Sequence, residues 1–203
     1  MKTFNLLFAL LLTSLFSARA SIIYSATQNV PIPLNPEGVY LRFDTGTAAT
    51  TFPADWDTAP WINPFFGGVY IGTSPLLRPV LSGADQILNV EFGAPIESTS
   101  VFAIGENGSS THVGNAPGQF LINVPGYVGL AFRAELGGLD SYGWVEIQIN
   151  NLGDGKIIRW AYEDTPGTPI LVGDTGVLPE PGIPTLFGAA GVLLGFRRRR
   201  RKH

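Results

Sequence analysis

The chain has no cysteine, and histidine occurs only twice. The first absence excludes disulfides, thiolate zinc sites and cysteine nucleophiles together. Charge is scarce as well, at 14% Asp, Glu, Lys and Arg, and no stretch carries the periodicity of a long amphipathic helix. A helical bundle and a solvated, disordered chain are both disfavoured by that composition. Recognisable sites are missing too: there is no G-x-S-x-G elbow, no H-E-x-x-H and no EF-hand loop. Ahead of the C-terminal tail the one histidine is His112, in GENGSSTHVGN beside Ser109 and Ser110. Residues so close in sequence rarely assemble a catalytic triad, so His112 reads as an exposed loop residue. No catalytic residue, metal ligand or cofactor is expected, and the chain reads as a non-enzyme.

What is present is turn chemistry and short apolar runs. There are 25 Gly and 16 Pro among 203 residues, with 45% hydrophobic residues. The runs GVYLRFD (38–44), GVYIG (68–72), QILNVEF (86–92), SVFAIG (100–105), QFLINV (119–124), YVGLAFR (127–133), YGWVEIQI (142–149) and KIIRWAY (156–162) are rich in β-branched and aromatic residues. Gly, Pro, Asn and Asp separate them, which predicts short strands. Strands of that number and spacing predict an all-β body, an antiparallel β-sandwich or jelly roll. Alternation sets the faces: Val39, Leu41 and Phe43 against Tyr40 and Arg42, and Val145, Ile147 and Ile149 against Tyr142, Trp144, Glu146 and Gln148. Hairpins are expected at VPG (124–126) and at NNLGDG (150–155).

The two chain ends differ from this body. MKTFNLLFALLLTSLFSARAS combines Lys2, an apolar stretch from Phe4 to Phe16 and the small-x-small site Ala18-Arg19-Ala20. That is the pattern of a secretory signal peptide over residues 1–20, with signal peptidase and the general secretion machinery as partners and Ser21 as the new first residue. From Ser21 to Leu178, fifteen acids against Arg42, Arg78, Arg133, Lys156 and Arg159 leave a net charge of −10. Such a body is a poor match for nucleic acid, whose phosphates need clustered cations. At the other end, the uncharged run Gly182–Phe196 meets Arg197, Arg198, Arg199, Arg200, Arg201 and Lys202. A full membrane span needs about 20 apolar residues, so this one is short. It can cross the inner membrane by borrowing Val177 and Leu178 and letting the arginines snorkel. The cations then stay in the cytoplasm and the body outside.

Pro179-Glu180-Pro181, a short apolar helix and a terminal arginine cluster together resemble the PEP-CTERM sorting signal of exported bacterial proteins, over residues 177–203. The resemblance implies that an exosortase in the membrane recognises Pro179, Glu180 and Pro181 and removes the tail. It also implies a protein of the cell surface associated with extracellular polysaccharide. Residues 142–173 are similar to a block near the end of many PEP-CTERM ectodomains, to which no activity attaches. The expected organisation is therefore a signal peptide (1–20), a β ectodomain (21–176) and a sorting signal with one transient transmembrane helix (177–203).

Within the body, DWDTAPWINPFFGG (55–68) concentrates Trp56, Trp61, Phe65 and Phe66 in a proline-rich connection. Exposed indoles there could stack on sugar rings, with Asp55 and Asp57 bonding hydroxyls. Folded back, the same aromatics would form a lid over one end of the body. A glycoside hydrolase would need two carboxylates across a cleft, and Glu91, Glu135, Glu146 and Glu163 lie in or beside predicted strands. Two function classes follow: a non-enzymatic structural or adhesive surface protein, or a carbohydrate-binding module or hydrolase acting on extracellular polysaccharide.

Overall fold

The computed structural model describes residues 21–83, 86–103, 112–150 and 153–176. The expected signal peptide and the expected sorting signal, with Pro179, Glu180, Pro181 and the run Arg197–Lys202, lie outside the described residues. The described body is all-β. Its strands are β1 (Ile22–Tyr24), β2 (Val30–Ile32), β3 (Tyr40–Arg42), β4 (Ala48–Ala49), β5 (Trp61–Phe65), β6 (Tyr70–Thr73), β7 (Leu77–Pro79), β8 (Pro95–Ile96), β9 (Gly126–Phe132), β10 (Ser141–Ile149), β11 (Gly155–Glu163) and β12 (Ile170–Leu171). Every pairing between them is antiparallel. Among the described residues no helix is long and apolar enough to cross a membrane.

The larger sheet runs β1–β11–β10–β9–β7, with β2 joining the same edge of β11 as β1. The second runs β4–β3–β5–β6, and β8 and β12 form a small third. The first two share one core. Val128, Leu130, Phe132, Val145, Ile147 and Ile149 of the larger sheet cluster with Val39, Leu41, Phe43, Ile62 and Ile71 of the second. Each such side chain, fully buried, contributes about 1.5–3 kcal/mol. The alternation read in β3 and β10 holds, but the other face of β10 is not a solvent face. Tyr142 and Trp144 pack with Ile96, Ile170 and Val172 from the β8–β12 cover. Trp144 is fully buried, and its indole N–H donates to the Asp174 carbonyl at 3.2 Å.

A β-bulge interrupts the alternation in β11. Glu146 is opposite Arg159 while Ile147 is opposite Ile157, leaving Ile158 without a partner position in β10. Ile157 and Trp160, three residues apart, consequently both join the shared core. The NNLGDG connection closes β10 onto β11 as expected, with Asn150 N donating to Asp154 O at 2.9 Å.

Two predicted strands (86–92 and 119–124) do not form, and neither does the described part of a third, residues 100–103 of the run 100–105. Residues 86–92, 100–103 and 119–124 contribute single bridges only, at Ile87, Asn89, Phe102 and Phe120. Their apolar residues act as plugs: Ile87 and Phe120 are buried in the shared core without a ladder around them. The VPG hairpin is absent for the same reason. Asn123 adopts φ +63° and Val124 N bonds back to Leu121 O at 3.3 Å, so β9 starts at Gly126 and not from a preceding strand. Conversely, the proline-rich WINPF becomes β5, flanked by β3 and β6. Pro64 has no N–H to give, but its carbonyl accepts from Val39 N at 3.0 Å. The Asn63 side chain supplies what the ladder lacks there, donating to Glu37 O (2.8 Å) and Val39 O (3.1 Å).

Candidate functional site

Trp56 and Trp61 are internal. Trp56 lies in a single 3-10 turn, Trp56–Thr58, edge-on to Tyr40 at 5.8 Å and against Phe52 at 5.4 Å. Trp61 opens β5, and both indoles are buried with Tyr40 and Ala59. Asp55 is engaged as well: it accepts from the Trp61 indole N–H (3.1 Å) and from Arg42 Nη1 (3.0 Å). Trp56 and Trp61 therefore fold back onto the body, while Phe65 is half-buried and Phe66 exposed, both against Tyr70. Trp56 and Trp61 are corrected from candidate glycan contacts to packing residues, because burial leaves neither indole face open to a sugar ring.

His112 is also corrected, from an exposed loop residue to a fully buried one. Its Nε2 lies 3.1 Å from the Gly68 carbonyl and so carries the proton, and its ring meets Phe120 edge-on at 5.4 Å. Ser109 and Ser110 lie outside the described residues. Among the described residues no group of three or more His, Asp or Glu is placed to hold a metal.

The four carboxylates do not form a hydrolytic pair. Glu91 and Glu135 are exposed on separate loops, while Glu146 and Glu163 are buried. Glu146 sits opposite Arg159, four residues from Glu163 along β11, a separation of roughly 13 Å at strand rise. Glycosidase pairs stand about 5–9.5 Å apart. Glu146 accepts from Arg159 Nε, while Arg159 also donates to Tyr24 OH at 3.2 Å and lies 5.9 Å over the Trp144 ring. Asp140 gathers two cations, Arg78 and Arg133, each at 2.7 Å. Burial alone would raise its carboxyl, but the hydrogen bonds from Arg133 and Arg78 outweigh that and hold it below the usual range.

Glu163 behaves in the opposite way. Burial pushes its carboxyl above the usual range, and neighbouring Asp164 adds to the push against the bond from Thr165 N. The native state thus holds this proton more tightly than the unfolded chain does. Stability from this group is full below its unfolded value and is lost as pH rises through the raised native one. Glu163→Gln keeps an acceptor for Thr165 N without the charge. It should melt higher than the parent at pH 7 and converge with it near the ordinary glutamate range; parallel Tm curves across pH would contradict this.

A recess that the sequence did not single out lies at one edge of the larger sheet. A cleft of about 290 Å³ is lined by Tyr24, Ser25, Gln28, Asp44, Trp160 and Tyr162, among others. It forms where the β1–β2 link crosses the edge of β11 and faces the turn Asp44–Gly46. The link is clamped: Ser25 N donates to Trp160 O (3.0 Å), Trp160 N to Ser25 Oγ (2.9 Å) and Gln28 N to Ile158 O (2.8 Å). Within it Ala26 and Asn29 adopt φ +56° and +51°, a left-handed conformation costing an alanine roughly 1–2 kcal/mol. On the facing side Tyr162 OH donates to Asp44 O at 2.9 Å, and Gly46, at φ +72°, touches the Trp160 edge. A Cβ at Gly46 would stand 2.8 Å from Trp160 Cζ2, so this approach requires glycine. Arg42 forks the Asp44 carboxylate at 2.8 and 3.1 Å. Aromatic walls with amide and hydroxyl groups at the rim suit holding a polar ligand. No protein-family model, curated protein or solved structure matches the chain.

Proposed function

We propose that this chain is an exported surface or extracellular-matrix protein, sorted and processed by an exosortase through its C-terminal signal, with a structural or adhesive β ectodomain. In this reading residues 1–20 direct export, residues 182–202 hold the protein transiently in the inner membrane, and Pro179, Glu180 and Pro181 mark the segment for cutting. The ectodomain is then an antiparallel β-sandwich in the finer classification. The observation that carries the reading is the placement of the two ends of the described body. Ser21 bonds Asp164 just beyond the end of β11, and Gly176 packs on Ile22. Leader and tail therefore join the body at one end of the larger sheet, where either can be removed without disturbing the core. The β10–β11 turn lies at the opposite end, roughly 30 Å away along β11. Leu34 packs on Gly153 there, and Asn123, between exposed Leu121, Ile122 and Val124, bonds Ile149 O at 2.7 Å. Exposed apolar side chains occur at both ends, Leu136 and Leu139 in the β9–β10 loop beside the tether and Leu34, Leu121, Ile122 and Val124 at the far end, and the far set suits display and adhesion. The test is the intact mass of the protein recovered from the cell surface, expected to run from Ser21 to a cut near Pro181. A mass retaining Lys2 or extending through Phe196 would contradict it.

A second reading, a carbohydrate-binding body, is favoured by the aromatic and polar cleft. Gln28→Ala with Tyr162→Ala is then expected to weaken binding to extracellular polysaccharide about tenfold or more, as aromatic and amide contacts are lost. Trp56→Ala should affect folding and not binding in the folded fraction. Equal polysaccharide retention by parent and cleft variant on an affinity gel would exclude this reading.

A further inference from the structure

Ser21 and Asp164 exchange two bonds at the edge of the larger sheet. Ser21 N donates to Asp164 Oδ1 at 3.1 Å, and Asp164 N donates to Ser21 O at 3.0 Å. The next residue, Ile22, begins β1 in register with Glu163. Thr165 Oγ1 also donates to Asp164 Oδ1, at 3.1 Å, which fixes the carboxylate's orientation. Among the described ion pairs none brings a Lys or Arg to Asp164. A carboxylate is thus aimed at a backbone nitrogen that, within a longer chain, carries a single proton and no charge.

We propose that Asp164 is the receptor for the α-ammonium of the processed chain, so that cutting the Ala20–Ser21 bond turns a neutral hydrogen bond into an ion pair that locks β1. The inference rests on the reading that export removes residues 1–20. Hydrolysis breaks the C–N bond, water's oxygen goes to the Ala20 carboxylate, and Ser21 N gains protons to become an ammonium with three donors. Asp164 is already within reach of that nitrogen, so no rearrangement is needed. Ile23, Tyr24 and Ser25 form one wall of the cleft, and β1 pairs with β11 along one side only. Maturation therefore steadies a wall of the recess, and an unprocessed chain has a looser one.

An N-terminal serine is a 1,2-amino alcohol, and periodate cleaves its Cα–Cβ bond to leave a glyoxylyl group, releasing the amine as ammonia and the hydroxymethyl carbon as formaldehyde while periodate is reduced to iodate. The exported protein is sequenced from its N-terminus, treated with periodate, and compared with untreated protein by amide hydrogen exchange in β1. With Ser21 first, treatment should speed β1 exchange about two- to fivefold, the scale of an exposed ion pair, while β9 and β10 stay protected. Asp164→Asn should exchange β1 at the faster rate before treatment and show no further change after it. A first residue other than Ser21 overturns the export reading and the lock together. Ser21 first with exchange unmoved by periodate, or moved equally in Asp164→Asn, overturns the lock alone.

Discussion

Arg159→Ala is expected to lower the melting temperature of the body by about 5–10 °C, from a loss of about 2–3 kcal/mol. The Glu146 side chain is only 9% exposed and that of Arg159 29%, so the upper end of the range for a buried pair is reduced for solvent screening at the arginine. The guanidinium is held firmly in its charged form, first by its bond to Tyr24 and then by Glu146. Its removal strands the carboxylate among Tyr127, Trp144 and the β8–β12 cover, and opens the face of Trp144 that it now shields. Arg159→Lys keeps the charge but not the planar fork that reaches Tyr24 and Glu146 together, and should fall between alanine and parent. The diagnostic comparison is the double variant Arg159→Ala with Glu146→Gln. Without a stranded charge it should melt above Arg159→Ala. If the single variant melts within about 1 °C of the parent, the pair is a surface ornament and Trp144 is held by apolar packing alone.

Strand identity was legible where burial is two-sided or alternation is strict. Val39, Leu41 and Phe43 share a face, and the long apolar runs around Val128, Val145 and Ile157 form the central meander. In β11, where no faces were assigned from the sequence, one extra residue breaks the alternation: Ile158 sits in a bulge, and Ile157 and Trp160 both point to the shared core. Short apolar runs misled, because Ile87 and Phe120 need only a hole to fill and not a neighbouring strand. WINPF hid the reverse case. Pro64 argues against a central strand by propensity, yet a carbonyl bond and the Asn63 amide satisfy the backbone around it. His112 looked exposed from its glycine- and serine-rich neighbours, and its burial depends on Gly68, 44 residues away. The cleft was beyond any spacing rule, since Ser25 and Trp160 meet across 135 residues. Composition and alternation report local geometry; they carry no information on which distant edges close around a recess.

Glu180→Ala is expected to leave the C-terminal tail on most molecules in a host with an active exosortase, where most molecules of the parent should lose it. The two prolines set φ and keep residues 179–181 out of a helix, so the sequence predicts an extended segment carrying one carboxylate at the membrane surface. A processing enzyme reading that segment loses its only charged contact with Glu180, and a change of about tenfold or more in the processed fraction follows from losing a charge-assisted hydrogen bond in a dry site. Gly182–Phe196, 15 residues without charge and with Gly182, Gly188, Gly191 and Gly195, is too short for a secure permanent span. Uncut Glu180→Ala protein should therefore stay membrane-bound chiefly through Arg197 to Lys202. Neutralising Arg197 to Arg201 in that background should release or misorient it, because the cations no longer hold the cytoplasmic side. Mass spectrometry of surface and membrane fractions separates the cases. Peptides running through Phe196 in most parent molecules, with exosortase active, would make the tail a plain anchor; an uncut Glu180→Ala chain beside a trimmed parent would assign the cut to recognition of Glu180.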